Sequence, residues 1–205
     1  AFVGMGAVVM KNVENCTVVV GNPAKFLKEL VNYQSFNEIR LRHARKSDCE
    51  LLFDWVNDPS VRRSAFNQET IEYSQHQAWF NSKLLNDCTE IFIAEQHGSA
   101  LGQVRFEIDG TAAEIDVSIA STHRGRNLAW ELIKTACSEI FQLRPPVEKI
   151  VAHIKTDNHA STRSFAKAGF SSPVSATHNG LDASKWNSKG EQSPSKYFTT
   201  MFPSL

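Results

Sequence analysis

The feature that most constrains this chain is a strand, helix and strand succession between residues 114 and 155. Polar and apolar side chains alternate over residues 114–120, which predicts a half-buried strand. Apolar side chains then recur at helical spacing over residues 128–141, and residues 149–155 predict another strand. Because strands and helices also alternate on both sides of this unit, the sequence predicts a mixed sheet of the α/β (α+β) class.

Composition narrows the class of protein further. Of the 205 residues, 41% are hydrophobic, which is enough for a substantial core, and 22 basic residues balance 22 acidic ones. This neutral balance argues against a nucleic-acid partner. No apolar run suits a transmembrane helix, and residues 1–20 lack the charged start of a signal peptide, so we expect no membrane association. Four scattered cysteines without a CxxC pair indicate reduced thiols and a cytoplasmic protein.

A change in composition divides the chain into residues 1–34 and 35–205. The first part is rich in valine and glycine, which predicts tightly turning strands, and its residues 24–31 predict a helix. Near the other end, residues 171–195 are rich in serine and asparagine and predict a loop. Residues 197–202 predict a final strand.

The turn that enters the helix at residue 128 is basic and contains a glycine. Unpaired amide groups and the helix dipole make such a turn a natural anion site, and the glycine lets an anion approach the backbone. Spacing alone equally fits an ordinary turn with solvated arginines. The turn reads Arg124-Gly125-Arg126-Asn127-Leu128-Ala129.

Two motifs resemble the GNAT N-acetyltransferase superfamily. The acetyl-CoA loop of that family has the pattern Arg/Gln-x-x-Gly-x-Gly/Ala, which residues 124–129 match with Asn127 in place of the first glycine. Asparagine tolerates the left-handed backbone that such a glycine adopts. The second family motif is matched by Asn158, Ser161, Phe165, Gly169 and Phe170. The resemblance covers residues 38–202.

This resemblance implies a seven-stranded sheet that is flanked by helices and splayed between the strands 114–120 and 149–155. It implies acetyl-CoA as cosubstrate, with the pantetheine arm against the main chain of the first strand and the pyrophosphate on the amides of residues 124–129. The implied cofactor-binding residues are Val117, Ile119, Arg124, Gly125, Arg126, Asn127, Leu128, Ala129, Asn158 and Ser161.

Members of this family let an amine attack the thioester directly, which requires a base. Alternation puts Glu114, Asp116 and Ser118 on one strand face, so they are the candidate catalytic residues, although solvent exposure is a plain alternative explanation of their charge. Phe165 stands where many members have the tyrosine that protonates the departing thiolate. This departure leaves open a non-catalytic acyl-CoA-binding module. The histidines and cysteines show no ligand spacing, so we expect no metal.

The first half resembles one branch, the N-acetyltransferases of UDP-linked 4-amino-4,6-dideoxy sugars in pseudaminic-acid-type pathways. The matching strings are Phe53 to Pro59, Val61-Arg62, Ser64 to Asn67, His76-x-x-Trp79-Phe80 and Gly102 to Phe106. This branch implies that Arg62 and Arg105 bind the diphosphate and that Asn67 and His76 bind sugar hydroxyls. A histidine beside aromatic residues is more often structural. The alternative acceptors are protein N-termini or another small amine.

Residues 1–34 resemble the end of a left-handed β-helix hexapeptide acyltransferase, through Val3 to Val9 and Val18 to Lys25. The resemblance implies one last coil and a closing helix, without the histidine that such enzymes use. A single coil cannot bury its own faces. It would pack on the main domain, pair with another chain in a homo-oligomer, or be the remnant of a longer fusion.

Overall fold

The computed structural model describes residues 2–13, 17–29, 38–178 and 181–189. Short 3-10 turns at Lys46–Asp48 and Ser121–His123 precede two of the helices. The strands are β1 (Phe2–Val3), β2 (Thr17–Val20), β3 (Lys25–Glu29), β4 (Arg40–His43), β5 (Thr89–Gln96), β6 (Ser99–Asp109), β7 (Ala112–Ile119), β8 (Lys149–Lys155), β9 (Ser171–His178) and β10 (Leu181–Lys189). The helices are α1 (Cys49–Val56), α2 (Pro59–Ser64), α3 (Tyr73–Leu84), α4 (Ala129–Leu143) and α5 (His159–Lys167).

Seven of these strands form one mixed sheet in the order β4-β5-β6-β7-β8-β10-β9. Neighbouring strands run antiparallel except β7 and β8, which are parallel. That exception follows from the connection, because two adjacent parallel strands need a crossover and α4 supplies it. The predicted mixed α/β sheet of seven strands is confirmed.

Helices flank the sheet on both faces, and β5 shows this directly. Its Phe92 belongs to the larger core, which includes Leu132 and Ile140 of α4. The adjacent Ile93 belongs to a second core with Phe80 of α3. Successive side chains of a strand point to opposite faces, so β5 is buried on both sides. Packing on both faces therefore holds this part of the sheet in place.

The predicted helix over residues 24–31 is wrong, because Lys25–Glu29 forms strand β3. Gly21, with a φ of 94°, lies in the turn that brings β3 back antiparallel to β2. A helix of eight residues is marginal by itself, whereas the edge of β2 offers a ready row of hydrogen-bonding groups. β1 pairs with the other edge of β2 in parallel. The β-helix resemblance and the domain boundary at 34/35 stay predictions.

The predicted loop over residues 171–195 is also wrong where the structure describes it, because β9 and β10 form an antiparallel pair there. β10 also pairs with the whole of β8, from Lys149 to Lys155. Among residues 181–188 of β10, only Ala183 and Trp186 are buried. Most of its other residues are polar, so the composition of this strand resembles that of a loop. The predicted strand at 197–202 lies outside the described residues.

Two further observations concern the chain as a whole. In the described ranges, every helix is too short or too polar to cross a membrane. Cys49, Cys88 and Cys137 are free thiols, and burial raises the pKa of Cys137 to about 12, so this thiol stays protonated and unreactive at neutral pH. Cys16 lies outside the described residues.

Candidate active site

The central feature of the site is the separation of β7 from β8. The parallel ladder joins only residues 112–114 to residues 149–151, and residues 115–119 of β7 have no partner on that side in the structure as described. The predicted splay is therefore confirmed. It opens a cleft of about 510 Å³ lined by both strands, α2, α4 and α5. Apart from the Ile119 carbonyl, which accepts from Arg124, the main-chain groups in this stretch of β7 are available to an extended ligand.

β7 presents different side chains on its two faces, as the alternation predicts. Ile115 is buried in the larger core, and Val117 and Ile119 pack against it. Glu114, Asp116 and Ser118 alternate with them. Because the cleft cuts across the strand edge, both sets line it. The structure therefore brings together all three candidate catalytic residues and the two candidate cofactor contacts of this strand.

The two carboxylates of β7 have different partners. Oδ2 of Asp116 lies 3.3 Å from Nη2 of Arg105, whose Nε also approaches Glu107 at 3.4 Å. Oε1 of Glu114 lies 3.1 Å from Nδ1 of His153 on β8. Asp116 is thus engaged by a guanidinium group, whereas Glu114 lies beside histidine side chains.

The loop before α4 has the backbone of an anion site. Gly125 and Asn127 adopt positive φ values of 75° and 59°, the left-handed conformation that glycine and asparagine tolerate. Leu128 precedes α4 without a side-chain cap. Among the described residues, no acceptor meets the amide groups of residues 125–131. These free donors and the helix dipole favour a bound phosphate.

The Arg124 side chain in this loop has partners of its own. Its Nε donates to the carbonyl of Ile119 at 2.9 Å, and its Nη1 lies 2.8 Å from Oδ1 of Asp58. Asp58 caps α2 by accepting from the amides of Ser60 and Val61. Hydrogen bonds from the Ser60 hydroxyl and from Arg124 hold the pKa of Asp58 well below its usual range. Arg124 therefore fastens α2 to the end of β7.

The second helix of the cleft carries the other motif. Oδ1 of Asn158 accepts from the amide of Ser161 at 3.1 Å and so caps α5. Both residues line the cleft, and the side-chain nitrogen Nδ2 of Asn158 remains available to a ligand. Phe165 also lines the cleft but packs edge-on against Phe170, with ring centroids 4.9 Å apart. It contributes an apolar wall and no proton.

Only two of the four predicted acceptor contacts line the cleft. Arg62 and Arg105 line the cleft, whereas Asn67 is exposed and His76 is buried, and neither belongs to the lining. Nη1 of Arg62 donates to the carbonyls of Asn67 and Glu69. The Nε atom of Arg62 is buried without a hydrogen-bond partner, and burial lowers the pKa of Arg62. One donor of this arginine therefore has no hydrogen-bond partner among the described residues.

His76 lies in the second core with only 3% of its surface exposed. Its Nε2 lies 3.2 Å from the carbonyl oxygen of Cys49. Its ring stacks against Phe80 and lies within 5.6 Å of Phe53 and Trp79. This placement favours the structural alternative: the histidine ties α3 to α1.

We expect His76 to make stability depend on pH. Burial lowers the pKa of His76 below the ordinary value of about 6.5, so the unfolded chain takes up the proton first as the pH falls. The free energy of unfolding should be highest above about pH 6.5 and decrease below it. His76→Gln should flatten this slope in denaturant titrations at pH 7 and pH 5. The exposed His159→Gln should leave the slope unchanged, and an equal change in both variants would contradict the assignment.

Three residues at this site could not be recognised from the sequence. Asp58 was part of a matching string but had no assigned role. His153 is a single histidine within a strand pattern, and His178 falls in the predicted loop. Both histidines line the cleft beside Glu114. Only the alternation of β8 could have suggested that His153 faces the ligand side, and nothing local indicated His178.

Comparison with known proteins identifies the family. Residues 38–171 match the family model described as an acetyltransferase (GNAT) domain. The chain belongs to the GNAT family. This GNAT domain is an N-acetyltransferase, and acetyl-CoA is its cosubstrate. The splayed strands and the free amides before α4 are thus the candidate acetyl-CoA site of the enzyme.

Solved structures share the GNAT fold at low sequence identity. AAC(6')-Ib in complex with ribostamycin and coenzyme A is 21% identical, with a TM-score of 0.67 over 75% of this chain and 94% of that chain. Spermidine N-acetyltransferase from Vibrio cholerae, in complex with CoA and spermine, is also 21% identical, with a TM-score of 0.65 over 74% of this chain and 95% of that chain. No curated protein matches the sequence significantly.

Proposed function

We propose that the acceptor is an amine that carries phosphate, as in a nucleotide-activated amino sugar of the UDP-4-amino-4,6-dideoxyhexose type. The observation that carries this proposal is the charge of the cleft. Four permanent cations line it against two carboxylates. The cations are Arg62, Arg105, Arg124 and Lys155, and the carboxylates are Glu114 and Asp116.

The arginines of the cleft differ in whether a carboxylate is already paired with them. Arg124 is paired with Asp58, and Arg105 is shared between Glu107 and Asp116. Arg62 and Arg105 each have a buried Nε without a hydrogen-bond partner. Of the two, only Arg62 also lacks a carboxylate within ion-pair distance among the described residues. A buried unpaired donor is costly, and a phosphate oxygen would satisfy it. Arg62 is therefore the expected anchor of the acceptor.

A polycationic acceptor fits this cleft less well. The structural neighbours named above are bound to spermine and to ribostamycin. A polyamine is recognised by an excess of carboxylates, whereas Arg62 lies on the acceptor side without a carboxylate within ion-pair distance among the described residues. Like charges in a partly buried site are repulsive. We therefore place polyamines second, although a small amine with one positive charge remains the alternative acceptor.

The chemistry assigns one role to each part of the cleft. Glu114 takes a proton from the ammonium group, and the free amine then attacks the thioester carbonyl. The nitrogen of the tetrahedral intermediate loses its surplus proton to water, the intermediate collapses, the C–S bond breaks, and CoA leaves as a thiolate. Phe165 offers no proton, so water protonates the thiolate. Ser118 lies farther along the same face and can donate a hydrogen bond within the cleft.

The test is a comparison of acceptors under one assay of CoA release. A UDP-4-amino-4,6-dideoxyhexose, spermidine, an aminoglycoside and a peptide with a free N-terminus are each supplied with acetyl-CoA. The proposal expects the highest kcat/KM for the nucleotide sugar. A higher value for spermidine or for the peptide would contradict it and would identify the acceptor class. CoA binding without turnover of any acceptor would favour a binding module.

Arg62→Lys provides a prediction specific to the acceptor. Lysine keeps the charge but loses the Nε donor and the planar geometry that suits phosphate. We expect KM for the nucleotide sugar to rise about tenfold, a loss of roughly 1.4 kcal/mol, while KM for acetyl-CoA changes little. Arg63→Lys, at an exposed position outside the cleft lining, is the matched control. Equal effects of the two variants would remove Arg62 from the acceptor site.

A further inference from the structure

Three metal-ligand side chains meet in the cleft although they are far apart in the sequence. Glu114 comes from β7, His153 from β8 and His178 from the end of β9. Nδ1 of His153 lies 3.1 Å from Oε1 of Glu114, and Nε2 of His178 lies 3.9 Å from the same oxygen. One donor atom from each residue lies within 4.8 Å of the other two.

These atoms converge without satisfying one another. Nδ1 of His153 is buried and makes no hydrogen bond, even though the carboxylate oxygen of Glu114 is close to it. The carboxylate therefore lies away from the direction in which the ring nitrogen can donate. A buried nitrogen without a partner is unfavourable. A cation between the nitrogen and the carboxylate would satisfy both at once.

Packing holds the two imidazole rings in place. The rings of His153 and His178 stack with centroids 4.5 Å apart, and Phe66 packs against His178 at 4.7 Å. All three ligand residues are half-buried, so they retain a path to solvent. A ligand set whose rotamers are already restricted loses little entropy when it binds an ion.

We propose that Glu114, His153 and His178 form a binding site for a divalent transition-metal ion of the zinc type. Two imidazoles and one carboxylate are a ligand set that zinc accepts, with a fourth position left open. Ligands about 2.1 Å from a tetrahedral zinc ion are about 3.4 Å apart, and the distances of 3.1 and 3.9 Å bracket this value. Calcium and magnesium prefer oxygen ligands and fit poorly.

Such an ion would act as an inhibitor rather than as a cofactor. It would bind the carboxylate of Glu114, which could then no longer take a proton. This consequence rests on the proposed function, whereas the binding of the ion does not. Acetyl transfer would therefore become sensitive to the concentration of free zinc.

The test measures metal binding by the whole chain in the absence of acetyl-CoA. All proteins carry Cys88→Ser, because Cys88 is an exposed thiol that could bind zinc. Titration calorimetry with zinc chloride should show one site, and magnesium chloride should show none. His178→Ala should weaken zinc binding at least tenfold. His159→Ala, at an exposed histidine outside the cleft lining, should leave it unchanged.

A spectroscopic measurement covers the case in which His178→Ala fails to fold. Cobalt bound to the Cys88→Ser protein should give the visible absorption of tetrahedral coordination, and His178→Gln should abolish it. Absence of zinc binding, or equal binding by the His178 and His159 variants, would overturn the proposal. If zinc binds as expected but no acceptor is acetylated, the proposed function fails and the metal site stands. If the enzyme turns over and zinc does not inhibit it, the inhibitory role is wrong.

Discussion

Gly125→Glu should raise KM for acetyl-CoA at least tenfold and leave KM for the acceptor nearly unchanged. A β-carbon at Gly125 would meet no atom within 4 Å, so the substitution brings no steric clash in the free enzyme. It places a carboxylate beside the free amide groups of residues 125–131, where we expect the pyrophosphate of acetyl-CoA to bind. Two like charges at one helix N-terminus repel each other. Steady-state kinetics with each substrate varied in turn measure the effect.

Gly125→Lys is the matched control for this experiment. Gly125 has a φ of 75°, so any other side chain adds backbone strain of about 1 kcal/mol. Lysine shares that strain but carries the opposite charge. We expect its KM for acetyl-CoA to be several-fold lower than that of Gly125→Glu. Equal values for the two variants would assign the effect to strain, and equal effects on both substrates would contradict the loop assignment.

Glu114→Gln should lower kcat about a hundredfold or more, because a general base contributes about 10²- to 10⁴-fold to proton-transfer reactions. Glutamine has almost the same shape as glutamate, so the cleft should keep its form. KM for acetyl-CoA should change little, since the cofactor loop lies at the other end of β7. Single-turnover measurements at saturating substrates isolate the chemical step.

Asp116→Asn is the matched control, because it makes the same chemical change on the same strand face. Asp116 is held by Arg105 at 3.3 Å, so we expect it to orient that arginine and not to take the proton. Its kcat should fall by less than tenfold. A larger fall for Asp116→Asn than for Glu114→Gln would transfer the role of base to Asp116. Thermal unfolding of both variants checks that neither result comes from a loss of folding.

The sequence predicted correctly those strands and helices whose own residues show a clear hydrophobic pattern. The alternation along β7 predicted which side chains face the core, and the apolar repeat predicted α4. The patterns failed at β3 and β10, where pairing with a neighbouring strand decides the structure. Lys25–Glu29 contains polar and apolar residues that suit either a helix or an edge strand, and the available edge of β2 selects the strand. Intrinsic preferences are weak beside such tertiary contacts.

The candidate site also contains features that the sequence predicts and features that depend on tertiary contacts. The basic loop at residues 124–129 could be read from the sequence, because its residues are adjacent and their backbone requirements are local. The pairing of Arg124 with Asp58 could not be read, since the two residues are brought together only when α2 packs against the end of β7. For His76, the sequence suggested a role in the site that the tertiary structure does not support. Its residue type suggested a ligand contact, and its burial beside Phe80 gives it a structural position.

The amino-acid sequence was enough to indicate the family, the order of most strands and helices, and the loop proposed for the acetyl donor. Each of these depends on residues close together in the chain, where spacing and backbone preference act directly. Only the tertiary structure decided which charges in the cleft are already paired and which remain free. It alone placed His153 and His178 beside Glu114, because the order of strands in a sheet joins distant segments through hydrogen bonds that no local pattern encodes.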